Sequence, residues 1–296
     1  MPQKNDKHEG PRYVIITPAR NEERYIEQTL EGVIHQTIQP VEWLIVNDGS
    51  TDSTGAILER YQRKFPWICR IDRYDRGSRD SSTGAIEAFH YGRQLLTTED
   101  WQFLVNLDSD IELPPTYFHD CFEEFRKDPG LGIGGGTLYS VHSGTLREEA
   151  NPLHHVRGAT KIYRRSCWEQ IGGLAVSPGW DTIDEVKANL LGWRTRSFPS
   201  IRGLHQRPTG GIDGAWSDNV KNGRADYVVG YHPAFMILKC IKRLLKRPYV
   251  IGSLGLLCGY VRAHVNGTPR FADEASVRYL RRQHLRRLFP LGGIWR

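Results

Sequence analysis

Three acidic clusters in this sequence have the spacing of residues that hold a cation or move a proton. Asp108-Ser109-Asp110 closes one short apolar run and Asp48-Gly49-Ser50-Thr51-Asp52 closes another. Asp181, Asp184 and Glu185 stand at i, i+3 and i+4, so a helix there would present all three on one face. An Asp-x-Asp at a strand end suits a hard divalent cation, bound through carboxylate oxygens with positions left for substrate phosphates. Helix capping is the plainer alternative, because Asn21 and Asp52 are good N-cap types and acids favour first turns. Capping explains any one of the strand-end clusters at 17–23, 48–52 and 108–110 more easily than all three together. His205, in Leu204-His205-Gln206-Arg207, is a further candidate, although a lone His is often structural.

The elements that must position these residues alternate in type. Tyr13–Thr17 reads as a strand, and Ile26, Leu30, Val33 and Ile34 then repeat at helical spacing. Trp43–Asn47 predicts a second strand and Thr54–Phe65 a second helix. Ile68–Asp72, Gly84–Leu96 and Trp101–Leu107 predict strand, helix and strand again. Such units imply a mostly parallel sheet with helices on both faces, whose ligands bind beyond the carboxyl ends of the strands. The acidic clusters at 48–52 and 108–110 fall at those ends, as does Thr17-Pro18-Ala19-Arg20-Asn21-Glu22-Glu23. Arg76 and Arg79 follow the third strand and are candidates for a diphosphate, with a solvated loop as the alternative. The Gly-rich run Gly130–Thr137 reads as a turn into an extended segment, because it lacks the Lys-Ser/Thr of a phosphate loop.

Composition narrows the classes. The 296 residues are 39% hydrophobic and 25% charged, enough to build a core and too ordered in pattern for a disordered chain. Five Cys without a C-x-x-C pair argue against a zinc ribbon or disulfide framework and fit a reducing compartment. Residues 231–296 hold 13 Lys and Arg against two acids, a net of +11, whereas residues 1–230 hold 27 against 32, a net of −5. A basic tail on a mildly acidic body points to an anionic partner for the tail alone. The tail carries Arg281, Arg282, Arg286 and Arg287 but no zinc finger, helix-turn-helix or RNP signal, so nucleic acid is not the expected partner.

The ordered set Ile15-Ile16-Thr17-Pro18-Ala19-Arg20-Asn21-Glu22-Glu23, Val46-Asn47-Asp48-Gly49-Ser50-Thr51-Asp52 and Asp108-Ser109-Asp110 resembles the donor-binding half of family 2 glycosyltransferases. The resemblance runs over roughly residues 12–210. It implies a GT-A fold, a Rossmann-like mixed sheet with helices on both faces; the charge and periodicity of residues 231–296 add a C-terminal helical basic extension beyond it. The resemblance implies that Asp48 bonds the base of a nucleoside diphosphate and that Thr17, Ala19 and Glu22 line the nucleoside pocket. Pro18, Arg20, Gly49, Ser50, Arg79, Asp108 and Ser109 belong to the same expected nucleotide site. Asp110 is the expected ligand of Mg²⁺ or Mn²⁺, with Asp108 and His205 beside it. Gly158–Arg165 and Ile171-Gly172-Gly173-Leu174 are similar to the family's acceptor side.

The family's catalytic base is an Asp in a Glu-Asp-x-x-Asp-like segment. Here Trp180 stands where Glu is usual. Register from Gly192 favours Asp181 as base, with Asp184 second. The implied organisation is a flexible terminus at 1–10, a nucleotide-sugar half at 11–110, an acceptor and catalytic half at 111–230 and a basic amphipathic helical extension at 231–296. The implied reaction moves a sugar, from a UDP-sugar by expectation, to a hydroxyl of a glycan or lipid-linked acceptor, with inversion and metal assistance. A nucleotidylyltransferase would open on a Gly-x-Gly-x-Arg loop, and Thr17–Glu23 contains no Gly. A pseudoenzyme that binds sugar nucleotides without turnover is the other alternative, against which the presence of Asp108, Asp110 and Asp181 argues.

In the tail, Ala234, Ile237, Leu238, Ile241, Leu244 and Leu245 fall on one helical face and Lys239, Lys242, Arg243 and Lys246 on another. Tyr249–Val261 is almost wholly apolar but shorter than the ~20 residues of a membrane-spanning helix. The extension therefore either packs on the catalytic domain or lies on an anionic membrane surface. Met1–Gly10 is polar and lacks the apolar stretch of a secretory signal, so the expected location is cytoplasmic, with peripheral contact at the inner face of a membrane.

Overall fold

The computed structural model describes residues 10–74, 83–142, 144–149, 152–207, 214–245, 249–271 and 273–288. The chain forms two compact units, one of residues 1–173 and 193–208, the other of residues 174–192 and 209–296. This division by packing cuts across the division by role suggested above.

In the first unit, β1 (Tyr13–Ala19), β2 (Glu42–Asp48), β3 (Ile68–Arg73) and β4 (Phe103–Leu107) are parallel, in the order β3-β2-β1-β4. The connecting helices are α1 (Ile26–Ile34), α2 (Thr54–Lys64) and α3 (Gly84–Gln94). Each lies within a few residues of its predicted position. β1, β2 and β4 are buried almost throughout, as strands covered on both faces must be. Alternation assigns the faces. Tyr13 and Ile15 join the cluster of α1, α2 and α4 (Tyr117–Lys127), while Ile16 and Val46 lie against Gly92 of α3.

Beyond β4 the sheet changes character. β8 (Thr160–Arg164) pairs antiparallel with β4 and with β6 (Leu131–His142), and β6 pairs antiparallel with β7 (Thr145–Glu148). β9 (Arg194–His205) runs parallel to β6, and the two-residue β5 (Ile111–Glu112) closes the edge antiparallel to β9. The sheet is therefore mixed; the parallel expectation holds for the strand–helix repeats and ends where they end. α5 (Arg165–Ile171) follows β8. The Gly-rich run is strand β6 and not a ligand loop. A Cβ at Gly135 would sit 2.5 Å from the carbonyl oxygen of Thr160, and one at Gly136 2.7 Å from that of Ile201. Glycine here allows neighbouring backbone to approach.

The second unit is helical: α6 (Trp180–Leu190), α7 (Gly214–Val229), α8 (Pro233–Arg243), α9 (Tyr249–Val265) and α10 (Glu274–Leu288). α7 and α9 approach so closely that a Cβ at Gly223 would lie 2.0 Å from Leu256 O, and one at Gly259 2.0 Å from Val220 O. Lys239 of α8 turns inward and pairs with Asp226 of α7 at 2.7 Å. Among the described residues no helix is long and apolar enough to cross a membrane.

Candidate active site

The loops after β1 and β2 are stitched to each other. Asn21 takes a left-handed conformation, φ 56°, and its Oδ1 accepts from Thr51 N at 2.8 Å while its own N–H donates to Ser50 Oγ at 3.0 Å. Glu23 N–H donates to Asp52 Oδ2, Ser53 N–H donates to Glu23 Oε2, and Glu22 N–H donates to Thr54 Oγ1 at 2.8 Å. Asn21 and Asp52, read above as possible helix caps, tie loop to loop; Asp52 also accepts from Thr54 N. Gly49 is left-handed at φ 69° in the tight exit from β2.

Asp48, at the end of β2, is buried and its carboxylate lies 2.9 Å from Arg73 of β3. Its carbonyl accepts from Arg20 Nη1 at 2.8 Å. Thr17 is wholly buried, its hydroxyl accepting from Trp43 Nε1 at 2.9 Å, so its side chain faces the core. Ala19 and Glu22 are buried at the same strand end, and Pro18 is half-buried beside them. Arg76 and Arg79 lie outside the described residues.

The Asp108-Ser109-Asp110 corner is built by β5. Pairing of Ile111 with His205 sets Asp110 beside the end of β9, where Gln206 N–H donates to Asp110 O at 2.9 Å. Asp108 is held by its own N–H donating to Ala159 O at 2.9 Å, and Ser109 is buried. His205 Nε2 is 3.4 Å from Asp110 Oδ1, and its Nδ1 is 3.0 Å from Glu149 Oε1. Arg207 donates to Asp110 Oδ2 at 2.9 Å and to Glu22 Oε1 at 2.6 Å. Arg157 pairs with Glu149. Four carboxylates and three basic groups thus meet at this corner.

Electrostatics follow from that crowding. Burial, then the neighbouring charge of Asp110, push the Asp108 carboxyl up to about 6. Burial also disfavours charge on Asp110, but the bond and charge of His205, together with Arg207, outweigh it and hold the carboxyl below its ordinary value. Burial opposes charge on His205, yet its bonds to Asp110 and Glu149 prevail and raise the imidazole to about 10. Arg207 loses hydration to burial and is held charged above its ordinary range by Glu22 and Asp110.

Among the described residues no three His, Cys, Asp or Glu side chains form a ready cage for a metal. A cation of the Mg²⁺ type is held instead by one or two carboxylates together with substrate phosphates and water. Asp108 and Asp110 suit that arrangement, since each raises the cost of ionising the other and a divalent cation removes it. His205 is engaged on both nitrogens by carboxylates.

In the second unit, α6 starts after left-handed Gly179. Asp181 stands half-buried in its first turn, whereas Asp184 is fully buried, its Oδ1 accepting from Glu185 N at 2.6 Å. Sequence reasoning missed Arg73, Glu149 and Arg157 and gave no role to Arg207. Arg207 had a signal, two residues past His205; Glu149 and Arg157 lie in the least patterned stretch and had none.

The family profile described as Glycosyl transferase family 2 matches residues 14–175. Chondroitin synthase from Escherichia coli is 33% identical over 182 residues, spanning 55% of this chain and 24% of that protein. Poly-beta-1,6-N-acetyl-D-glucosamine synthase from Staphylococcus aureus is 21% identical over 260 residues, 79% of this chain and 58% of that protein. The chain thus spans a minor part of the first and little over half of the second. The mannosyltransferase PcManGT from Pyrobaculum calidifontis, solved with GDP-Man and Mn²⁺, superposes with TM-score 0.55 at 16% identity, covering 95% of this chain and 81% of that one. S. aureus TarS 1–349 with UDP-GlcNAc gives TM-score 0.54 at 17% identity, covering 94% and 91%. At such identities the likeness speaks for the fold alone, which is GT-A.

Proposed function

Because the chain belongs to glycosyl transferase family 2 and is a glycosyltransferase enzyme of nucleotide-sugar type, we propose that it transfers a sugar with inversion from a nucleoside-diphosphate donor, a UDP-sugar first, to a hydroxyl of a glycan or lipid-linked acceptor. The observation that carries this reading is the paired Asp108 and Asp110 at the carboxyl edge of the sheet, with Asp108 held near pH 6 by burial and by its neighbour. Asp48 contacts the base. Ala19, Glu22 and the backbone of Thr17 and Pro18 wall the nucleoside, with Arg20, Gly49 and Ser50 shaping the loop behind Asp48. Asp108, Ser109 and Asp110 face the diphosphate, and Asp110 and Asp108 would hold Mg²⁺ or Mn²⁺, with His205 joining them only once its imidazolium gives up a proton. Such an ion neutralises charge on the departing nucleoside diphosphate.

Asp181 takes the proton of the acceptor hydroxyl as that oxygen attacks the anomeric carbon. The partial exposure of Asp181 supports it over Asp184, which is closed off from solvent. The carboxylates then divide their roles by environment: charge-crowded at the sheet edge, part-exposed at the start of α6. The reading also has the enzyme working in the cytoplasm at the inner face of a membrane, residues 11–110 serving the donor and 111–230 the acceptor. A panel of sugar nucleotides screened by thermal shift with Mn²⁺, followed by turnover on the hits, tests it. Stabilisation by one donor class with release of its nucleoside diphosphate is expected. Stabilisation without turnover on any acceptor would sink the enzymatic reading, and no stabilisation would sink the donor site.

A further inference from the structure

α8 carries two apolar stripes and buries only one of them. Its buried residues are Met236 and Cys240, and its cationic Lys239 is drawn onto Asp226. The other stripe faces solvent: Ile237 is 57% exposed, Ile241 55% and, just past the helix, Leu245 83%. α9 repeats the arrangement. Gly255, Leu256, Gly259 and Ala263 lie inward, with the two glycines against α7, while Leu254, Leu257, Val261 and Val265 lie outward. Those outward positions recur every three or four residues, so they form one continuous stripe along the helix. α8 and α9 are joined by Ser253 Oγ donating to Cys240 O at 2.8 Å.

Two neighbouring helices with exposed apolar stripes exceed the scattered exposed residues normal for a soluble surface. Charge says what covers them. α8 and α9 contain no acid, whereas Lys242 and Arg262 are exposed on them. A second copy of this chain would bring the same cationic rim to the contact and repel it. An anionic bilayer supplies both parts that the surface lacks, acyl chains for the stripes and phosphates for the rim. α9, 17 residues long, is too short and too glycine-rich to cross and instead lies in the plane.

We infer that the α8–α9 pair is a membrane-docking face, inserting its outward apolar stripes among the headgroups of an anionic bilayer. This deepens the membrane part of the proposed function and is independent of its chemistry. The alternative of an extension packed through the Ile237 and Ile241 stripe of α8 is at odds with the exposure of that stripe.

The test is co-sedimentation of the whole protein with vesicles of phosphatidylcholine alone and of phosphatidylcholine with an equal share of phosphatidylglycerol. Binding to the anionic vesicles alone, weakened by salt, is expected. Leu254→Glu with Leu257→Glu and Val261→Glu, all on an exposed face, should lower partitioning at least tenfold with an unchanged circular-dichroism spectrum. Lys242→Gln with Arg262→Gln should remove the preference for anionic vesicles. No binding to either vesicle, or equal binding by the triple variant, overturns the inference. So does a dimer in light scattering that the triple variant dissolves while vesicles capture nothing. Donor turnover in detergent-free buffer separates the cases: failure to bind vesicles with turnover intact removes the docking face and leaves the transferase reading standing.

Discussion

Two polar clusters lie at the carboxyl edge of the same sheet and are built on opposite principles. The loops after β1 and β2 satisfy themselves: Asn21, Glu23, Ser50, Asp52 and Thr54 exchange hydrogen bonds largely with backbone N–H groups. The corner at Asp108 and Asp110 concentrates charge that its surroundings only partly balance, so that Asp108 is pushed toward neutrality and His205 toward permanent charge. Self-satisfied polar groups hold shape. Crowded, buried charges store an affinity for something that relieves them. Motif residues that look alike in sequence therefore divide into scaffold and chemistry only when their partners are counted.

The largest expected effect is at the charged corner. Asp110→Ala should abolish detectable turnover in a donor-hydrolysis assay with the circular-dichroism spectrum kept and the thermal midpoint lowered, because His205 and Arg207 lose the carboxylate they pair with; residual turnover near wild type would break the contrast. Asp181→Asn comes next. Loss of a positioned general base costs ~10²–10⁴-fold in rate, and donor affinity should hardly change. If Asp184→Asn carries that loss instead, the base lies one turn further along α6.

Glu149→Gln sharpens the comparison at smaller scale. Glu149 orients His205 through Nδ1, and removing such an outer carboxylate typically weakens metal binding by ~10–100-fold. The Mn²⁺ concentration for half-maximal turnover should rise by that order with turnover at saturating Mn²⁺ largely restored. An unchanged Mn²⁺ requirement would reduce Glu149 to a structural partner. Asn21→Ala is the smallest and belongs to the scaffold. Losing the acceptor for Thr51 N should cost about 1 kcal/mol of stability by urea denaturation, with the Mn²⁺ requirement unmoved. A shifted requirement would show that the two clusters are one.

The strands and helices through β4 were legible because a parallel repeat writes itself as short apolar β-branched runs alternating with helical periods, and α1, α2 and α3 fall within a few residues of expectation. Past β4 the pattern weakens. β5 is two residues long, and β6 is a glycine-rich strand whose small residues answer to neighbours distant in sequence. The site divides the same way. Asp48, Asp108 and Asp110 announce themselves by type and position after a strand. Glu149 reaches His205 across 56 residues of sequence through the β6–β7 hairpin, and only the pairing of β5 with β9 reveals that Arg207 bridges Asp110 and Glu22. For α8, periodicity drew attention to Ile237 and Ile241, which are exposed, and passed over Met236 and Cys240, which are buried.

The central claim is that the Asp108–Asp110 corner binds a nucleoside-diphosphate sugar together with a divalent cation. Isothermal titration of the best donor from the thermal-shift panel into wild-type protein, once in Mn²⁺ and once in excess EDTA, tests it most directly. Saturable binding in Mn²⁺ that disappears in EDTA is the predicted result. Equal affinity in both buffers would contradict it.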